Sequence, residues 1–447
     1  MAPRAELRSY EASLTLPDIL MRNDPRSHGL WEVSAPAAPP TPVFTGAEEA
    51  EVAVIGAGYT GLSAALHLAE AGVSVRVLEA VAPGFGGAGR NVGLVNAGMW
   101  VMPEVLLAGL GPEYGPRLLR FLGDAPGVVF DLIARHGIAC EATRNGTLHL
   151  AVGAAGHVEI AERHRQWSAL GAPVELLSAG ATQARLGGGR YAGALLDRRA
   201  GTIQPLAYAR GLARAAQAAG AHIHADSPAQ SVSRLGQDWL VQTPQGRLRA
   251  KWLIPASDAY TAQVFPEIGS EQVILPYFNM ATAPLPDDLR AAILPGGEGC
   301  WDTREVLSSF RMDAAGRLVF GSVGQLGVLE RGAHRDWARR ALGRIFPQLK
   351  GVGFESEWWG RIGMTADNLP RLHLLGPNAL TICGYNGRGI APGTVSGRAI
   401  ARHIIGDLPL EAMPLPVSAP QPAPLSALRT AGYRAGAVLA HLAQDRI

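Results

Sequence analysis

Three glycines, Gly56, Gly58 and Gly61, stand as G-x-G-x-x-G within "VAVIGAGYTGLSAALHLAEAGVSVRVLEA". An apolar run that reads as a buried strand precedes them, and a helical pattern with small residues on its packing face follows. Gly56 permits the tight turn, Gly58 lets a pyrophosphate approach the main chain, and Gly61 allows close helix–strand contact. Tyr59 and Thr60 open the helix, whose free N–H groups and partial positive charge suit phosphates. Glu79, followed by Ala80, ends the next apolar run at the spacing of a carboxylate that accepts from ribose hydroxyls. A lone glycine fingerprint says little; strand, turn, helix and acid in register predict a dinucleotide site.

A second cluster follows at once. "GFGGAGRNVGLVNAG", residues 84 to 98, packs six glycines around Arg90 and two asparagines. Glycine at this density costs conformational entropy and adds no side chain to a core. Something flat must therefore lie against the backbone. A nicotinamide needs no second glycine loop five residues after the ribose acid, whereas the wide isoalloxazine ring of a flavin does. A disulfide-reductase type of enzyme would need a second fingerprint and a redox cysteine pair, and the sequence has neither. The expected cofactor is FAD.

The elements that must hold these loops can be read around them. Residues 1 to 50 are an extended, Pro-rich leader on the surface. Helical patterns dominate to about residue 140, followed by the strand-like "GTLHLAV" and a helix in "AAGHVEIAERHRQWSALG". A helix–strand pair and a hairpin restore the α/β pattern between 200 and 262. Alternating strands fill 263 to 359, with a helix near "HRDWARRALGRIF". "ALTICGYNGRGIAPGTVSGRAIARHIIGD" is again strand, glycine turn and helix. The expected fold is α/β of the glutathione-reductase FAD type, with a Rossmann-like FAD-binding domain from 51–105, 200–262 and 360–410. The substrate domain, a mixed or antiparallel sheet, takes 106–199 and 263–359. Residues 411–447 form a Pro-rich tail and a terminal helix.

Composition excludes several classes. A chain of 447 residues suggests about two domains. A net charge of +2, with arginines mixed among acids, gives no case for nucleic acid or an anionic membrane surface. Cys140, Cys300 and Cys383 are too far apart for a redox dithiol or structural zinc, which suits a reducing compartment. The N-terminus lacks a secretory h-region and no apolar run is long enough for a membrane span, so the expected location is the cytoplasm. The twelve histidines show no metal spacing, so no metal is assigned.

Taken in order, these motifs resemble the D-amino-acid oxidase, glycine and sarcosine oxidase superfamily of flavoenzymes, most closely its gamma-glutamylputrescine oxidoreductase-like branch. The likeness spans roughly residues 15 to 410, including "AKWLIPASDAY", "SSFRMDAAGRLVFGS" and "MTADNLPRLHLLGPNALTICGYNGRGIAPGT". The resemblance implies that Gly87, Ala88, Gly89, Arg90 and Asn91 contact flavin and pyrophosphate. It implies that Ala229 pairs with adenine through its backbone, and that Gly387, Arg388, Gly389 and Ile390 close over the ring. Arg90 and Arg388 could also be ordinary surface ion-pair residues. Relatives that tether flavin do so through a cysteine ahead of the threonine–aspartate turn; "EWWGRIGMTAD" has none, so the FAD is expected to be non-covalent. Ser257 and Asp258 replace the Thr-Gly or Thr-Asn of many relatives.

On the substrate side, the resemblance places Arg311 on a pocket strand where an arginine often holds a substrate carboxylate, a task its planar fork suits. The alternative is a salt bridge to Asp313 or Glu305. Trp301, Tyr277, Phe278, Trp358 and Trp359 offer an aromatic cage for an amine, although most residues of this kind serve a core. His28 and Trp31 serve to pin the leader. The expected reaction is hydride transfer from an amine-bearing carbon to flavin, giving an imine that water hydrolyses to an aldehyde or keto product. A gamma-glutamylputrescine-like or related amine is the expected substrate, with oxygen or another acceptor completing the cycle. The alternatives are a sarcosine, glycine or D-amino-acid oxidase or dehydrogenase, and a catalytically silent flavin-binding protein.

Overall fold

The computed structural model describes residues 27–261 and 264–444. The readings for residues 1–26, the start of the leader and the lack of a secretory signal, fall outside that range.

The first of two large sheets has nine strands. From one edge its path runs Val417–Ser418, Arg371–Gly376, Ala379–Cys383, Gly246–Pro255, Gly46–Ile55, Val75–Leu78 and His222–His224. Gly46–Ile55 lies parallel to both neighbours, with Val52 opposite Trp252 on one side and Val75 on the other. Its Val52, Ala53 and Val54 are wholly buried, as a strand covered on both faces requires. The helices Tyr59–Glu70, Pro205–Ala218 and Ile390–Ile404 contribute to the same core. Two glycines set how closely they pack. A Cβ on Gly61 would lie 2.0 Å from the Gly56 carbonyl oxygen, and one on Gly397 would lie 2.2 Å from that of Thr60.

The second sheet has eight strands, in the order Phe354–Met364, Val273–Pro284, Arg317–Val323, Ser308–Met312, Gly299–Asp302, Thr147–Leu150, Gly193–Asp197 and Val174–Ser178. All pairings are antiparallel except Gly299–Asp302 with Thr147–Leu150. Alternation assigns its faces. Phe278, Met280, Phe310 and Phe320 pack with Trp337 of the helix Arg331–Ile345, while Tyr277 and Ser309 look the other way, into a cavity.

Three expectations need correction. The helix Pro103–Arg135, which breaks at Gly111 (φ 71°) just before Pro112, sends Leu106, Leu118, Leu122 and Val129 into the core of the first sheet. The division at 105/106 cuts this helix in its first turn and assigns it to the other unit. The strand Phe354–Met364 likewise runs across the division at 359/360. The described part of the leader is anchored as well as superficial: most of its Pro-rich stretch is exposed, but Trp31 and Phe44 are wholly buried. Trp31 packs edge-to-face on Trp358 at 5.4 Å and its indole N–H donates to the Asn91 carbonyl at 2.9 Å. His28 Nε2 bonds to the Phe85 carbonyl at 3.1 Å, so both residues do pin the segment. Beyond them the Pro-rich stretch offers carbonyls rather than N–H groups, and Arg210, Arg214 and Gln217 donate to Pro36, Ala37 and Pro40.

The C-terminal helix Ser426–Ala443 docks on the second sheet, with one imidazole at the centre of a buried cluster. His441 stacks on Trp337 at 3.9 Å, bonds to Ser322 Oγ at 3.2 Å and meets His334, Nδ1 to Nδ1, at 2.8 Å. One ring must donate and the other accept, so the contact requires an unprotonated nitrogen. Burial lowers both pKa values, His334 to about 4 and His441 to about 3, the latter also through the charges of His334 and Arg340. The unfolded chain binds these protons near the ordinary value of about 6.5. The pair's stabilisation is therefore complete above about pH 6.5, falls as pH drops toward 4, and levels off below about 3. The thermal midpoint of the wild type should drop more steeply between pH 7 and 4 than that of His441→Gln. Parallel profiles in thermal melts would remove this role.

Candidate active site

The two sheets enclose a cavity of ≈ 1050 Å³. That exceeds the roughly 300–1,000 Å³ typical of a drug-sized ligand. The first glycine turn forms part of its wall. Gly58 caps the Tyr59–Glu70 helix, and a Cβ there would meet only the Ala88 methyl at 3.9 Å, leaving main chain open to a ligand. Gly56, Tyr59 and Thr60 line the cavity, while Gly61 is spent on helix–strand packing. Glu79 lines it too. Its Oε2 accepts from the Ala57 N–H at 2.7 Å and Oε1 from Val81 at 3.0 Å, which fixes the carboxylate against the glycine turn. Desolvation raises its pKa, opposed by those N–H donors. With the Ala80 N–H as a third backbone donor, the carboxylate's four lone-pair positions still leave room for one more. Ala80 and Ala229 complete this part of the wall, and the Ser227 N–H ties the second to the first through a 2.8 Å bond to the Glu79 carbonyl.

Arg90 and Asn91 build the second glycine loop. Asn91 Nδ2 donates to the carbonyls of Gly87 and Ala88 at 3.0 Å each, and its Oδ1 accepts from the Gly93 N–H at 2.9 Å. Tyr59 Oη also donates to the Ala88 carbonyl, at 2.5 Å. Arg90 reaches outward. Its Nε donates to Phe85 O at 2.6 Å and a terminal nitrogen to Trp359 O at 3.3 Å, joining the loop to the second sheet. In return its own carbonyl accepts from Asn279 at 2.9 Å and the Trp358 indole at 3.0 Å. Gly87, Ala88, Arg90 and Asn91 line the cavity, whereas Gly89 packs against Gly84 and Leu206.

The third wall is the turn before the Ile390–Ile404 helix, whose N-cap is Gly389. A Cβ on Gly389 would meet nothing within 4 Å, so its backbone too stands open. Gly387, Arg388 and Ile390 line the cavity beside it. Arg388 is not a surface residue. Its guanidinium carbon lies 4.7 Å from the Trp100 ring and 4.9 Å from the Trp301 ring, two indoles that themselves meet edge-to-face at 4.9 Å. One terminal nitrogen donates to Ala97 O at 2.9 Å, and Nε has no hydrogen-bond partner among the described residues. Burial, with the charge of Arg163, pushes its pKa down to about 9. At neutral pH it still carries its charge.

The expected substrate residues divide. Tyr277 and Trp301 line the cavity. Tyr277 Oη is 2.7 Å from Ser309 Oγ, and Trp301 stacks on His149 with centroids 3.4 Å apart. Desolvation holds His149 well below its ordinary pKa, hence neutral. Arg311 does not reach the wall. It is 1% exposed beneath the second glycine loop, where Nε donates to Val92 O at 3.0 Å and the guanidinium lies 5.0 Å from the Trp31 ring. The ion pair with Asp313 does not form either, since Asp313 holds Arg317 at 3.2 Å. Trp359 sits on the opposite face of its strand, packed with the second core, and only its carbonyl serves the glycine loop. Phe278 and Trp358 are core as well.

Sequence reasoning missed several lining residues. Trp100 follows the second glycine cluster by two residues, and its indole N–H donates to Asn386 O at 2.5 Å. Asp258 adopts φ 42°, a left-handed conformation that explains why Gly or Asn would serve there. Its Oδ1 accepts from the Gly384 N–H at 2.7 Å, joining two walls. Away from the cavity, Glu271, His373 and Cys383 converge with donor atoms within 4.8 Å of one another. Both His373 nitrogens are already engaged, with Ser418 O at 2.8 Å and Glu271 Oε2 at 2.7 Å. None of the three cysteines lines the cavity, and all are buried.

Open main chain at Gly58 and Gly389, a fixed carboxylate at Glu79 and a helix N-terminus at each turn are donors and acceptors that fit FAD. The known proteins agree. Gamma-glutamylputrescine oxidoreductase of Escherichia coli (strain K12) is 33% identical over 364 residues, 80% of this chain and 84% of that protein. The probable oxidoreductase OrdL of Rhizobium meliloti (strain 1021) is 30% identical over 380 residues, 84% of this chain and 88% of that protein. The fold matches glycine oxidase from Geobacillus kaustophilus with a TM-score of 0.66 at 19% identity, covering 80% of this chain and 95% of that one. Among the described residues no helix is long and apolar enough to cross a membrane. The model of the DAO family, FAD dependent oxidoreductase, matches residues 51–403, and the chain belongs to that family.

Proposed function

We propose that this protein oxidises the C–N bond of an amine or amino acid that also carries a carboxylate, using non-covalent FAD. The observation that carries the reading is Arg388, a charged, buried guanidinium on the cavity wall with no ion-pair partner among the described residues, since Asp197, the carboxylate whose charge it feels, is held by Arg199. An uncompensated buried charge is costly and is kept where a ligand completes it. The two indoles that would otherwise cage the substrate amine are already taken by this guanidinium. Recognition at this wall is therefore of an anion, and Arg388 takes the part that the family resemblance implied for Arg311.

The chain's residues divide the remaining tasks. Glu79 accepts from the adenosine ribose, the Ala229 backbone meets adenine, and the helix N-termini after Gly58 and Gly389 face negative charge. Bound FAD would supply the hydride acceptor. The amine carbon gives up hydride, the nitrogen lone pair assists, and the resulting imine is hydrolysed. A neutral amine needs no strong base, so the protein acts by orienting the substrate and excluding water. By this reading the first sheet is the FAD-binding half and the second the substrate half. The three unpaired cysteines fit a reducing compartment such as the cytoplasm. The 33% identity to gamma-glutamylputrescine oxidoreductase favours a substrate in which amine and carboxylate lie at opposite ends of a chain.

Four measurements test the proposal. Acid precipitation of the yellow protein should leave FAD in the supernatant; a yellow pellet would contradict non-covalent binding. Glu79→Gln removes a charge-assisted acceptor worth about 1.5–3 kcal/mol. FAD affinity should fall roughly tenfold or more, and unchanged affinity would place the ribose elsewhere. Anaerobic mixing with a panel of amines should bleach the flavin fastest with those that carry a carboxylate. Arg388→Lys keeps charge but loses the fork, so it should raise KM for them by about tenfold while carboxylate-free amines change little. Equal loss on both classes would make Arg388 a flavin-tuning residue instead.

A further inference from the structure

The cavity has a wall that lies outside the family match. That match ends at residue 403, yet Gly432, Tyr433, Gly436, Ala437 and Ala440 of the C-terminal helix line the same cavity as Arg388. Their spacing puts them on one face of the helix. We propose that this helix is the outer wall of the substrate channel and sets the length of substrate the enzyme accepts. The inference rests on the reading above, that an anionic group of the substrate is held at Arg388.

The helix is held as a rigid wall would be. Besides His441 in the second core, Thr430 Oγ1 accepts from the Ile274 N–H at 3.1 Å and Arg434 pairs with Glu330 at 2.7 Å. Arg340 donates to the His441 carbonyl at 2.8 Å. The strand beneath presents Leu275 and Tyr277 to the cavity, with Val323 beside them, an apolar lining suited to methylene groups. Two glycines on the facing side are the unexpected feature. Glycine within a helix costs about 1 kcal/mol relative to alanine. Tight packing does not explain them, because a Cβ on Gly432 or Gly436 would meet nothing within 4 Å. What they provide is open width at the channel mouth. Arg388 lines the same cavity and supplies the fixed charge from which chain length is measured.

The test uses the FAD-loaded enzyme and unbranched monocarboxylates from acetate to octanoate, titrated while the flavin absorbance is recorded. For the wild type, Kd should fall by about fourfold per added methylene, the value of one buried CH₂, until the chain reaches the wall. Gly436→Phe places a side chain in open space, so the fold and flavin spectrum should persist. Its gain in affinity should stop at shorter chains, with acetate bound as before. Gly436→Ala should raise the thermal midpoint, which verifies that the position is helical and unstrained. A wild type without length dependence, or identical length profiles in wild type and Gly436→Phe, would overturn the proposal. Weakening of about tenfold at every chain length in Arg388→Lys, with the cut-off length unchanged, keeps this inference separable from the role of Arg388.

Discussion

Everything at the site depends on two contacts between main chain and main chain. Gly61 lets the first helix approach its strand so closely that a methyl group would stand 2.0 Å from Gly56 O, and Gly397 brings the last Rossmann-type helix equally near Thr60. At those distances no other residue fits, because the opposing atoms are backbone and cannot turn aside. The outcome is a pair of helices whose N-termini face one cavity. Their partial positive charges are set by packing rather than by any ionisable side chain.

The second glycine loop joins the two sheets. Asn91 folds it from within, and Arg90 fastens it to the Phe354–Met364 strand. Trp31 closes it from outside, donating to Asn91 O while it packs on Trp358. The Asn91 amide and the Arg90 Nε and carbonyl all have partners of defined direction, so the loop can expose bare backbone on one side and remain ordered. Arg388 stands in contrast. The two neighbouring indoles contribute a weaker, non-directional attraction that leaves its charge available.

The parts legible in the sequence were those where geometry allows one residue type. The glycines read directly because close backbone approach leaves few substitutes, and the acid at the end of the second strand does line the cavity. The parts misread turned on distance along a strand or on which face a strand presents. Arg311 shares its face with Ser309, yet two residues further on the strand has passed beneath the loop at Val92 and Gly93. Period-two alternation distinguishes faces but does not show where a loop from another part of the chain will cover one. Trp358 and Trp359 differ by one residue and so belong to different cores. The helix Pro103–Arg135 was recognisable as a helix, but its choice of partner depends on a core assembled from distant segments.

That assembly has a bearing on biosynthesis. The strand Gly246–Pro255 sits between Gly46–Ile55 and Ala379–Cys383, so the centre of the first sheet joins residues separated by more than three hundred positions. A ribosome that has released the first glycine turn must add most of the remaining chain before the opposite wall of the cavity exists. Until then the strand carries an unpaired edge, a template for pairing with other chains. Cofactor capture is therefore a late event on a nearly complete polypeptide, and shortened translation products that lack the last strand and helix retain the fingerprint without the pocket.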